Sequence, residues 1–453
     1  MANAQPSVKL PLRTNSSQNS AQDNDNNEDI EEIAHAPAST NIQRFSTPDL
    51  YSKPPPLQDE VQTKSSEIHN ETRQKCLPFL TVNETGGALE DDLNSFGIPH
   101  LRRDQHIDFL EDALEDYPAG FVAMDASRPW LFYWSLAGLS CLGQDVSQYG
   151  PRLVKTVAPF QNKSGGFGGG HGQMSHIAAT YAIVLSLAIV GGEEALNLID
   201  REAMWYWLGS VKQKDGGFRI ARGAEEDMRG AYCALTIISL LNLPLELPTD
   251  SPARVNGDET FLTGLTEWIA RCQTFEGGIG ASPDDEAHGA YAFCALACLC
   301  IVGEPHDMIS RHWVGGCWAL LEAAIAGPEK ASSTPLPTAS LWDREGLMRY
   351  VLCCCQVGGG GLRDKPGARP DAYHSCYALI GLNAAQNHYY YDHDAANLSR
   401  PLSAGFNWRV DFSSNEGVVV DEEDRIRLVH PIFAVPWGTA ERTRAFFEQK
   451  SGF

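Results

Sequence analysis

The sequence predicts an all-α fold made of stacked two-helix units, and three observations carry that prediction. A glycine-rich turn followed by a tyrosine-bearing apolar helix recurs four times along the 453 residues. The helices after those tyrosines are apolar nearly all round, the pattern of helices buried between other helices. No strand-like alternation competes with them.

The elements follow in order. Residues 1–95 are rich in Asn, Gln, Ser, Asp, Glu and Pro, and Pro54-Pro55-Pro56 excludes regular structure. Such a segment buries too little apolar area to offset chain entropy, so it is expected to be mostly disordered. A helical pattern begins near His100 with Ile107, Leu110 and Leu114. Each repeat then reads helix, Gly-Gly turn, polar loop, helix. The turns are Gly165-Gly166-Phe167, Gly216-Gly217-Phe218, Gly277-Gly278-Ile279 and Gly360-Gly361-Leu362. The apolar helices that follow run to Val190, Leu241, Val302 and Ala385. Glycine ends the first helix of each unit because it accepts the left-handed backbone there. A last helix is expected near Ala440–Gln449. The helical domain therefore spans 96–453, with repeats near 121–143, 153–191, 203–241, 262–303 and 345–386, a truncated repeat at 312–325 and a loop at 326–340. Units stacked side by side form a solenoid. If it closes into a ring, the loops gather at one end of a central cavity.

The repeat spacing has a gap. The equivalent tyrosines Tyr181, Tyr232, Tyr291 and Tyr377 are separated by 51, 59 and 86 residues. The last step is too long for one unit and too short for two plus the loop. The stretch Trp313–Leu321 reads as the second helix of a unit whose first helix and Gly-Gly turn are absent. About half a repeat is therefore missing between roughly Pro305 and Trp313.

Composition bounds the function. The net charge of −23 argues against a surface that neutralises nucleic acid or coats an anionic membrane. Residues 1–60 hold no apolar segment of the secretory kind, and the longest apolar run, Ala290–Val302, is shorter than the roughly 18 residues a membrane span needs. Most of the 12 cysteines lie in apolar stretches and read as reduced, buried thiols, so a cytoplasmic setting is expected.

The repeats resemble those of the protein prenyltransferase beta subunits. The segment Asp125–Trp134 is similar to one typical of the farnesyltransferase branch, as are Glu286–Tyr291 and Asp364–Gly367 running to Tyr373–Tyr377. The resemblance covers about residues 100–450 and implies an α/α toroid of six helical hairpins, working in a heterodimer with a separate alpha subunit. It implies transfer of farnesyl from farnesyl diphosphate to the cysteine of a C-terminal C-a-a-X sequence. The diphosphate needs cationic donors. Arg229 and His288 match family diphosphate contacts, with Tyr232, Gly289, Tyr291 and Trp313 in the same farnesyl diphosphate-binding set. The isoprenoid needs an apolar wall, for which Trp130, Trp134 and Tyr373 stand as candidates. Bulky tryptophan at this wall is what the family uses to limit the chain to fifteen carbons.

The resemblance also implies a catalytic zinc held by an Asp, a Cys two residues later and a distant His. His374 matches the histidine, and Asp371 lies three residues before it. The Asp-x-Cys pair belongs to the half-repeat that is absent, and no Asp-x-Cys or Cys-x-x-Cys occurs nearby. Asp364 matches an aspartate that supports magnesium at the diphosphate. Three other readings stay open. The first is a geranylgeranyltransferase type I beta subunit. The second is a non-catalytic binding subunit, which the absent ligands favour. The third is a terpene cyclase on the same toroid, for which neither Asp284–His288 nor Asp421–Asp424 provides the acidic motif.

Overall fold

The structure is a computed structural model. It describes residues 62–80, 93–115, 117, 119–275, 277–309, 318–326, 342–394, 400–411 and 420–450. The chain is helical, and its helices pair into hairpins. Outer helices are α2 (Arg103–Asp112), α4 (Gly150–Val157), α6 (Arg201–Val211), α8 (Leu265–Arg271) and α11 (Arg344–Tyr350). Inner helices are α3 (Arg128–Cys141), α5 (Ile177–Val190), α7 (Met228–Leu240), α9 (Gly289–Val302), α10 (Trp318–Ala326) and α12 (Ala372–Gln386). The inner helices pack in the order α12, α3, α5, α7, α9, so the last complete hairpin lies beside the first. A C-terminal helix, α13 (Thr439–Glu448), packs on α5 and α7.

Each turn has one construction. Backbone bridges pair Gln161 with Phe167, Lys212 with Phe218, Gln273 with Ile279, and Gln356 with Leu362, always across the Gly-Gly step. The chain thus reverses in six residues and enters the inner helix with its N-cap already placed.

The glycines explain how units stack. Gly216 has φ 110°, and a Cβ there would lie 1.8 Å from the carbonyl oxygen of Gly264, just before α8 of the next unit. Gly165 meets Ala203 in α6 in the same way, and Gly360 meets Gln105 in α2, which closes the ring. Gly277 is different. Its φ is 89°, yet a Cβ there would meet no described residue within 4 Å, and nearby Phe275 is fully exposed. Among the described residues no outer helix packs against the fourth turn, at the point where the repeat spacing breaks.

Two expectations are corrected. Residues 64–80, within the segment expected to be disordered, form the helix α1 (Lys64–Leu80). It stays folded because Cys76 and Leu80 are buried in the core, and Arg349 of α11 donates to the Leu80 carbonyl. The polar composition hid this docking face. The domain also carries a two-stranded antiparallel ribbon, β1 (His388–Tyr391) with β2 (Trp408–Asp411). Its alternation is only four residues long per strand, too short to register in sequence. The expected last helix matches α13 within a residue at each end.

All eleven described cysteines are buried thiols outside any disulfide. Burial pushes their thiols up where a shift is resolved, for example Cys298 and Cys141 to about 12, so they remain protonated and inert. No described helix is long and apolar enough to cross a membrane.

Candidate functional site

The inner helices begin at one rim of the ring, and their caps place the candidate residues there. Four caps are made by a side chain: His176 Nδ1 accepts from Ala178 N at 3.1 Å, Asp227 from Arg229 N at 2.7 Å, His288 from Ala290 N at 3.1 Å and Asp371 from His374 N at 2.8 Å. Caps of this kind are worth about 0.5–2 kcal/mol each. They also leave the positive ends of α5, α7, α9 and α12 at the same rim, which favours an anion there.

Arg229 and His288 come together at Tyr291. The guanidinium lies 5.5 Å from the centre of the Tyr291 ring, and the His288 ring lies 5.6 Å from the same centre. Asp227 holds Arg229 through Nε at 2.9 and 3.0 Å, and that pairing keeps the guanidinium firmly charged. Arg229 is half-exposed while Asp227 is buried, so the cation faces the opening and its partner does not. Gly289 is exposed, with open space where a side chain would stand.

A continuous row of rings starts on the same two helices, α7 and α9, and crosses the inner helices. Tyr232 lies 5.5 Å from Phe293 and 5.7 Å from Tyr181, Tyr181 lies 5.8 Å from Trp130, Trp130 stacks on Trp134 at 5.5 Å, and Trp134 meets Tyr373 edge-on at 5.2 Å. Tyr373 then touches His374 at 4.9 Å and Tyr377 at 4.9 Å. Hydroxyls anchor the row: Tyr181 and Tyr232 are 3.3 Å apart, Tyr232 donates to the Ile432 carbonyl at 2.6 Å, and Tyr133 donates to Ala434 at 2.8 Å. The buried stretch around residues 432–435 therefore backs the inner helices.

The structure thus brings Trp130, Trp134, Tyr232, Tyr373 and His374 into one row and joins Arg229, His288 and Tyr291 on α7 and α9, the helices that carry the Tyr232–Phe293 end of it. Sequence reasoning left Tyr181, Tyr377 and Phe293 out of this wall. The signal was present, since Tyr181 and Tyr377 occupy the repeat position of Tyr232 and Tyr291. Asp364 stands apart, in the loop after Gly361. Its carboxylate is 3.5 Å from Lys365, and its carbonyl accepts from Tyr350 at 2.5 Å. Trp313 lies outside the described residues.

The donor set at His374 does not fit a catalytic zinc. His374 Nδ1 is 2.7 Å from Asp371 Oδ2. Among the described residues His374 belongs to no group of three metal-ligating side chains. A catalytic zinc requires three protein ligands and one open position, and one histidine with one capping carboxylate falls short.

Helical hairpins closed into a ring, with a row of aromatic rings on the inner helices and the Arg229 guanidinium at one rim, define the class. The prenyltransferase alpha-alpha toroid domain model matches residues 101–312 and 310–435, two stretches that meet at the break in the repeats. The chain belongs to this family. Within it, the chain is 45% identical over 470 aligned residues to the protein farnesyltransferase subunit beta of Pyricularia oryzae, covering 94% of this chain and 90% of the relative. It is 31% identical to that of Schizosaccharomyces pombe, covering 86% and 98%. Among solved structures, Candida albicans protein geranylgeranyltransferase-I complexed with GGPP shares the fold, with a TM-score of 0.51 at 17% identity over 78% of this chain and 100% of that one.

Proposed function

We propose that this chain is the isoprenoid-binding beta subunit of a protein farnesyltransferase, paired with an alpha subunit and acting on C-a-a-X proteins. The observation that carries the reading is the meeting of Arg229 and His288 at Tyr291, beside the row of rings that runs to His374. Arg229 and His288 bind the diphosphate, helped by the positive end of α9 at Gly289. Their hold strengthens as negative charge grows on the departing diphosphate. Trp130, Trp134, Tyr232 and Tyr373 line the isoprenoid, and the stacked tryptophans set its length. Asp364, with an exposed carboxylate, would supply an oxygen ligand to magnesium, whose charge would offset that of the diphosphate. Tyr373 and His374 border the place where the acceptor thiol must lie.

Activation of that thiol is left without a complete ligand set in this chain. A second reading therefore has a specific observation behind it: a subunit that binds farnesyl diphosphate and transfers nothing. The test is titration of farnesyl diphosphate into the chain purified with its alpha subunit, followed by a transfer assay on a C-a-a-X peptide. Binding with transfer supports the enzyme, binding without transfer supports the second reading, and no binding overturns both.

A further inference from the structure

We propose a second metal site, separate from the prenyl-transfer site, in which Glu304, His306 and His393 bind a zinc-like divalent cation. Glu304 and His306 follow the C-terminal end of α9, and His393 follows β1. Fourteen residues of α9 separate this cluster from the His288 rim, about 21 Å at 1.5 Å per residue. His393 Nδ1 lies 2.8 Å from Glu304 Oε2, and His306 Nδ1 lies 3.5 Å from the same oxygen. The two imidazole rings are 4.9 Å apart. All three ligand atoms fall within 4.8 Å of one another.

One ring nitrogen is left without a partner. His306 Nδ1 faces the Glu304 carboxylate at 3.5 Å, shielded from solvent and with no hydrogen-bond partner. Its other nitrogen, Nε2, lies 3.2 Å from Asp307 Oδ1. A shielded, unpartnered imidazole nitrogen beside a carboxylate and a second imidazole suits a bound cation. A carboxylate on the far nitrogen of a ligating histidine is also the arrangement that orients metal-binding imidazoles. With metal–ligand bonds of about 2.0–2.2 Å, tetrahedral ligands stand about 3.3–3.5 Å apart. The His306–Glu304 spacing already meets this, and the His393–Glu304 pair opens by about half an ångström as the ion replaces its shared proton. Two imidazoles and a carboxylate suit zinc, cobalt or nickel rather than calcium or magnesium. The other such cluster, His100 with Asp421 and Asp424, lacks this feature. Asp424 is filled by donors from Asn94 at 2.8 Å and Leu101 at 2.7 Å. The ion at Glu304 would pin the ribbon to the end of α9, next to the truncated repeat.

The test is titration of Co2+ and Zn2+ into the chelator-stripped full-length protein, with Co2+ visible absorption as the reporter. The expected result is one ion per chain, with d–d bands and no thiolate charge-transfer band. His306→Gln and His393→Gln should each weaken binding at least tenfold, Asp307→Asn by about 10–100-fold, and His374→Ala should leave it unchanged. Asp307 is exposed, so Asp307→Asn tests the site without disturbing the core. A thiolate band, binding lost only in His374→Ala, or affinity unchanged in the histidine variants and Asp307→Asn would overturn the proposal.

Discussion

The guanidinium of Arg229 lies over the Tyr291 ring at 5.5 Å, joining α7 to α9 at the rim where both helices begin. This places a half-exposed guanidinium, held by buried Asp227, at that rim.

Arg229→Ala should therefore weaken farnesyl diphosphate binding by about 1.5–3 kcal/mol, the range for a charge-assisted hydrogen bond. Calorimetric titration measures it. Binding of the parent isoprenoid alcohol should change little, because it carries no diphosphate for the arginine to meet.

Trp130 is half-buried and stacked on Trp134. Trp130→Thr should open the row next to Tyr181 and shift donor preference toward a twenty-carbon diphosphate. Competition between farnesyl and geranylgeranyl diphosphate reads this directly, and an unchanged ratio would remove Trp130 from the chain-length wall.

The turns offer a test of the truncated repeat. Gly216→Ala drives a Cβ into the Gly264 carbonyl and should unfold the stack or lower Tm sharply. Gly277→Ala meets no described residue and should cost only the left-handed backbone penalty, about 1–2 kcal/mol. Equal losses in the two variants would mean that the fourth turn is packed like the others.

The same observation supports a longer natural product. Gly277 faces no outer helix among the described residues, and the family match divides at 310–312. Sequencing transcripts across the codons for Ile309 to Trp313 should reveal roughly 30 further residues with a Gly-Gly turn and an Asp-x-Cys pair, judged from the unit spacing. If every transcript reads straight through, the chain is the zinc-free binding subunit of the second reading.

Acid should loosen the fold before carboxylates titrate. Burial pushes His106 down to about 4 and His430 down to about 3. His106 pairs through Nε2 with Gln356 at 2.9 Å. His430 Nε2 lies 4.0 Å from Glu441, whose own pKa burial raises, so the pair is disposed to stay uncharged. Both histidines are neutral when folded and protonate near 6.5 when unfolded. Their stability is present above pH 6.5 and is lost as pH falls toward 4 and 3, at up to about 1.4 kcal/mol per unit for each. Urea unfolding between pH 7 and 5 should show this slope. A flat profile would mean that neither group is held neutral.

The sequence by itself determined the unit. Gly-Gly turns need a left-handed backbone, and helices apolar on every side need neighbours on every side. The repeating tyrosines set the register, and α5, α7, α9 and α12 end at or within a residue of where the periodicity ends. Local physics also exposed the break before Trp313, because a spacing of 86 fits no whole number of units. Tertiary structure alone decided the rest. The ring row through Tyr181 and Phe293 depends on how adjacent helices rotate against each other. The docking of α1 depends on two buried side chains in a polar stretch. Glu304 and His393 lie 89 residues apart, and only the ribbon's packing brings them together. Contacts between distant residues leave no local pattern, since each partner alone reads as an ordinary polar histidine or carboxylate.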